Sequence, residues 1–110
     1  MTTPLDPQDA KIITLARSAR ARTGAPEGAA VRDGTGRTYA AVSVALPSLR
    51  LSALQVAVAM AVSSGADSLE AAAVVSSALD FAEADLGAAR DLKAGAVFLA
   101  APDGEVVARR

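Results

Sequence analysis

Apolar positions are densest in the stretch SALQVAVAMAVSSG, from Ser52 to Gly65, where Leu54 through Val62 carry one polar side chain, Gln55. Ser52 followed three residues later by Gln55 is a capping box, which marks a helix start. Gly65 stands where a left-handed residue would end that helix. A helix that is apolar on every side is expected to be buried on every side. Near the N-terminus, Asp6 and Pro7 supply an N-cap and a first-turn proline, and Asp9 adds negative charge to the first turn. This pattern predicts a first helix running to about Thr23 and stopping at Gly24. Its apolar side is Ile12, Ile13, Leu15, Ala16 and Ala19.

Short apolar runs bounded by turn residues predict the strands. Residues 28–32 and 38–44 form a pair joined by the glycine-rich turn Asp33-Gly34-Thr35-Gly36. Residues 45–51, which contain Pro47, read as a linker into the central helix. The run LEAAAVV at 69–75 has no polar alternation and predicts a strand covered on both faces. Asp85 is expected to cap a short helix at 86–92 that ends near Gly95. Residues 96–100 form another buried strand, Pro102-Asp103-Gly104 a tight turn, and 105–108 the last strand. That turn is too short for a crossover, so the last two strands are antiparallel. The order α-β-β-α-β-α-β-β predicts an α/β fold, and residues 1–110 read as a single domain.

Composition changes this picture in three places. Roughly a quarter of the chain is alanine, far above ordinary usage, and aromatic residues make up 3%, so the core is built from Ala, Val and Leu. The net charge is −1, which argues against nucleic acid or an anionic membrane as the partner. The start MTTPLDPQD has neither the basic nor the apolar region of a secretory leader, and the central helix is shorter than the ~18–20 residues of a membrane span. A cytoplasmic protein is expected. The chain has no cysteine and no histidine, which removes disulfides, thiolate nucleophiles, imidazole bases and the usual zinc ligand sets.

Several segments, taken in order, resemble the cytidine deaminase family, on its free-nucleoside branch. Gly28-Ala29-Ala30-Val31 with the following turn and Arg37-Thr38-Tyr39 is similar to the family's first strand pair. Ala61-Val62-Ser63-Ser64-Gly65 is similar to the end of its catalytic helix, and Asp85-Leu86-Gly87-Ala88-Ala89-Arg90 to its Pro-Cys-Gly-Ala-Cys-Arg box. The resemblance implies a three-layer α-β-α fold, with a five-stranded mixed sheet and helices on both faces. It also implies a zinc ion held by Cys or His and two Cys, with a glutamate as proton shuttle.

At the matching positions that machinery is absent. Aligned on the helix end, Ser52 takes the first metal-ligand position and Leu54 that of the glutamate. Aligned on the preceding strand, Leu54 and Val56 take them instead. Leu86 and Ala89 stand at the two cysteines of the second box, while Gly87 and Arg90 are retained. The family's Asn-x-Glu, which the resemblance implies as a ribose clamp, falls on Ser43-Val44-Ala45. The expectation is a catalytically inactive homologue with no metal and no cofactor, in which Leu54 and Leu86 fill core and Ser52 and Asp85 cap two helices. It would act as an oligomeric binding or scaffold protein for an unidentified partner. The alternative is a nucleoside-binding protein, or an enzyme with a non-standard site.

Ser43, Ala45, Arg50 and Arg90 would line what is left of the pocket. Val56, Val58, Met60 and Val62 spread too widely around the central helix for one contact, and the resemblance implies subunit contacts there. A homo-oligomer, dimer or tetramer, is therefore expected. Asp80, Glu83, Asp85 and Asp91 lack the compact spacing of a hard-cation loop and read as solvated surface or caps. Arg17, Arg20 and Arg22 read as a solvated face, and Arg90 as part of a surface ion pair.

Overall fold

The computed structural model describes residues 5–110. Helix α1 spans Pro7–Thr23, with the Asp6 carboxylate accepting the Gln8 N–H at 2.8 Å and Gly24 closing the helix at φ 71°. Strands β1 (Gly28–Asp33) and β2 (Thr38–Val42) form the expected hairpin. Next come β3 (Val44–Leu46), β4 (Leu49–Leu51), α2 (Ala53–Ser63), β5 (Leu69–Val75), α3 (Glu83–Asp91), β6 (Val97–Ala100) and β7 (Val106–Arg109). β5 lies in the middle of a five-stranded sheet of order β2-β1-β5-β6-β7. Its pairing with β6 is parallel, and the other pairings in that sheet, β6 with β7 included, are antiparallel.

The core has two halves, one on each face of the sheet. Ala71, Ala73 and Val75 of β5 join Phe98 of β6 against Ile12, Ile13 and Ala16 of α1. The alternate residues Ala72 and Val74 join Val97 and Leu99 against Leu54, Ala57 and Ala61 of α2 and Ala89 of α3. This period-two division is what a strand covered on both faces requires. Small residues let the layers approach closely. At Gly28 any side chain would run into the Ala16 carbonyl of α1, so β1 can enter beneath the helix only as glycine.

Three expectations need correction. Residues 45–51 are not a plain linker. Val44, Leu46, Leu49 and Leu51 suit an extended backbone, and β3 and β4 pair as a two-stranded ribbon around Pro47 and Ser48. Helix α3 begins at Glu83, not 86, with Ala82 as N-cap and no side-chain cap bond. Asp85 is therefore in the first turn and does not cap it. Finally, within a single chain α2 is not covered on every side. Ala53, Leu54, Ala57 and Ala61 are buried, but Met60 and Val62 are 40% and 50% exposed.

Candidate functional site

β5 runs into α3 and the β3–β4 ribbon runs into α2, and the two helices begin beside each other. The capping box of α2 is complete. The Ser52 hydroxyl accepts the Gln55 N–H at 3.1 Å, and the Gln55 side-chain oxygen accepts the Ser52 N–H at 2.9 Å. The same hydroxyl donates to Asp85 Oδ1 on α3 at 2.5 Å. The Ala53 N–H, the next donor of the first turn, donates to Glu27 Oε1 at 2.8 Å. These partners satisfy amides that a helix leaves open at its start.

Asp85 is 3% exposed, so the acid read as a helix cap lies inside the protein. Burial pushes its carboxyl up from the ordinary aspartate value, and the bond from Ser52 offsets only part of that. Beside it, Leu54 is fully buried. Burial of such a side chain stabilises a fold by about 1.5–3 kcal/mol, which agrees with the reading of Leu54 as core. Leu86 fills the core less completely, being half-buried.

Ser43, Ala45 and Arg50 line one open cleft of about 370 Å³ together with Pro26, Glu27 and Ser52. Arg90 is not part of it. It lies toward the other end of α3, on a separate cavity of about 530 Å³ with Leu86, Ala89, Lys93 and Arg110. Among the described residues it makes no ion pair. On α1, Arg17 and Arg20 are not a free cationic strip, because they donate to the backbone carbonyls of Pro102 and Pro26 at 3.0 and 3.1 Å.

Glu27 is the residue sequence reasoning missed. It sits just ahead of β1 with no local signal, and its partner Ala53 lies 26 positions away. The sequence marks Asp33 only as a turn residue. It is 4% exposed and accepts the Thr35 hydroxyl and the N–H groups of Thr35 and Arg37 on Oδ1, and the Tyr39 hydroxyl on Oδ2. An Asp two residues before a Thr in a glycine-rich turn was the available signal.

Sheet order, layering and the meeting of two helix starts define an α/β protein of three layers. The cytidine deaminase-like family model matches residues 5–104, and the chain belongs to that family. It is similar to the 1.6 Å crystal structure of cytidine deaminase from Burkholderia pseudomallei, at 23% identity and a TM-score of 0.75, over 87% of each chain. It is also similar to cytidine deaminase from Mycobacterium leprae, at 21% identity and a TM-score of 0.66, over 88% of this chain and 91% of that one. Among curated protein sequences there is no significant match.

The zinc ion implied by the resemblance does not fit the residues present. Leu54, Val56, Leu86 and Ala89 carry no donor atom, and the Ser52 hydroxyl is committed to Gln55 and Asp85. A neutral hydroxyl is a poor substitute for thiolate or imidazole. Among the described residues there is no group of three or more His, Cys, Asp or Glu side chains able to hold a metal ion. Asp85 adds one carboxylate, and it faces Ser52.

Proposed function

We propose that this chain is a non-catalytic member of the cytidine deaminase-like family, in which the former site has become packed and hydrogen-bonded core. The observation that carries this reading is the junction of the α2 and α3 starts. The positions matching metal ligands and the proton shuttle hold Ser52, Leu54, Leu86 and Ala89, with Val56 in the alternative register. Leu54 is fully buried, and Ser52 is bonded to a buried Asp85. Activation of a water for attack on a pyrimidine ring relies on a bound zinc ion and a free proton-shuttling acid. The matching positions supply no ligand, and the junction's carboxyl groups, Asp85 and Glu27, are engaged by the Ser52 hydroxyl and the Ala53 N–H. A protein of this kind serves by binding. Elemental analysis after purification without chelator should find no stoichiometric zinc, and a stoichiometric metal overturns the reading.

The surface supports self-association as the form in which it binds. Met60 and Val62 on α2 are exposed, as are Leu46 and Leu49 on the ribbon. Val56 and Met60 share a shallow groove with Leu51 and Tyr39. We assign this face to a second copy of the chain, in the cytoplasm, with a further protein partner docking on the assembled oligomer. Among the described residues no helix is long and apolar enough to cross a membrane.

A further inference from the structure

We infer that the Ser52–Asp85 hydrogen bond has taken over the mechanical task of a metal, tying the first turns of α2 and α3 together so that the fold closes without an ion. This rests on the reading of the chain as a metal-free family member. In the arrangement implied by the resemblance, one ligand lies at the start of one helix and two at the start of the other, so the ion is also a cross-link. Here the same two helix starts are joined by a side-chain bond of 2.5 Å between residues 33 positions apart.

The chemistry of the pair suits a cross-link better than a surface contact. A serine hydroxyl has one proton to donate and lone pairs to accept with. Ser52 uses its acceptor side for the Gln55 N–H and its proton for Asp85. One atom therefore caps its own helix and holds the neighbouring one. Asp85 lies in the first turn of α3, where the positive end of the helix favours a carboxylate. Its burial makes loss of its partner costly, because an unpaired buried acid keeps its desolvation penalty. Glu27 adds a third element, since its bond to Ala53 fixes the chain entering β1 to the same helix start. β1, α2 and α3 thus meet at one polar junction, with Leu54 packed beside it.

A double-mutant cycle on the full chain tests this, with folding equilibria read from urea denaturation in EDTA and again in added zinc. Ser52→Ala should lower the folding equilibrium constant about tenfold more in the wild-type background than in Asp85→Ala, since only the former still has the cross-link to lose. Asp85→Asn, whose amide oxygen accepts the same hydroxyl, should keep most of that coupling. Amide exchange in Ser52→Ala alone gives a second readout, independent of whether Asp85→Ala folds. Faster exchange in the first turns of both α2 and α3 is the expected result. Equal cost of Ser52→Ala in both backgrounds, or faster exchange confined to α2, reduces Ser52 to a cap and overturns the inference. Loss of wild-type stability in EDTA overturns instead the metal-free reading beneath it, so the two failures are distinguishable.

Discussion

Asp85 and Asp33, both almost fully buried, respond to pH in opposite senses. Burial holds the Asp85 carboxyl above the ordinary aspartate value, so the folded protein keeps its proton to higher pH than the unfolded chain does. Unfolding releases a proton in that interval, and stability falls as pH rises through it. Burial also acts upward on Asp33, but the Thr35 hydroxyl, the N–H groups of Arg37 and Thr35, and the Tyr39 hydroxyl together outweigh it and hold the group low. Its contribution is present above the ordinary value and lost as pH falls through the lowered one. Asp85→Asn should abolish the decline with rising pH and leave the acid loss intact, as read from urea midpoints between acid and neutral pH. A decline as steep as in the wild type contradicts this assignment. What the sequence could reveal here was local. The Ser52–Gln55 box is written in four consecutive residues, and it forms as expected. Asp85 sits among Glu83, Ala84 and Leu86, which gave no sign that a partner 33 positions upstream draws it inside. Glu27 was hidden for the same reason.

Among the elements, α2 shows what uniform apolarity can and cannot say. The run from Leu54 to Val62 announced a helix with both ends marked, and Ala53–Ser63 is that helix. It could not announce which side packs on the sheet, because no polar stripe distinguishes one face from another. Packing is settled by size. Ala53, Ala57 and Ala61 lie against the sheet with Leu54, and the bulkier Met60 and Val62 face outward. Pro47 misled in a similar way, since a proline in a two-residue turn is compatible with a paired ribbon. The outward face of α2 and the ribbon should be covered by a second copy, with light scattering giving a mass of at least two chains. Val62→Glu places a charge in that contact and should shift the mass toward one chain while leaving the fold intact. A wild-type chain that stays monomeric at micromolar concentration contradicts the assignment.

Over the whole molecule, the fold was more legible than the site because strand order depends on repeated patterns, whereas a site depends on single contacts. The apolar strand Leu69–Val75 called for cover on both faces, the resemblance implied that helices provide it, and β5 has helices on both faces. The family model spans residues 5–104, while the zinc chemistry that the resemblance implies depends on a few side chains, and the chain has no cysteine or histidine to serve as its ligands. Fold and activity separate readily in that way. Structural zinc supplies about 10–16 kcal/mol in isolated sites, so a family member without it needs other cross-links and better packing at the same place. On the proposed reading, Ser52, Asp85, Glu27 and Leu54, joined or packed at the α2–α3 junction, take that place here. The central claim is that the junction is core and not a reaction centre. Its most direct test is to incubate the purified protein with cytidine in zinc-containing buffer and follow the ultraviolet absorbance lost on conversion to uridine. The account predicts no change beyond the protein-free control. A sustained decrease that scales with protein concentration would contradict it.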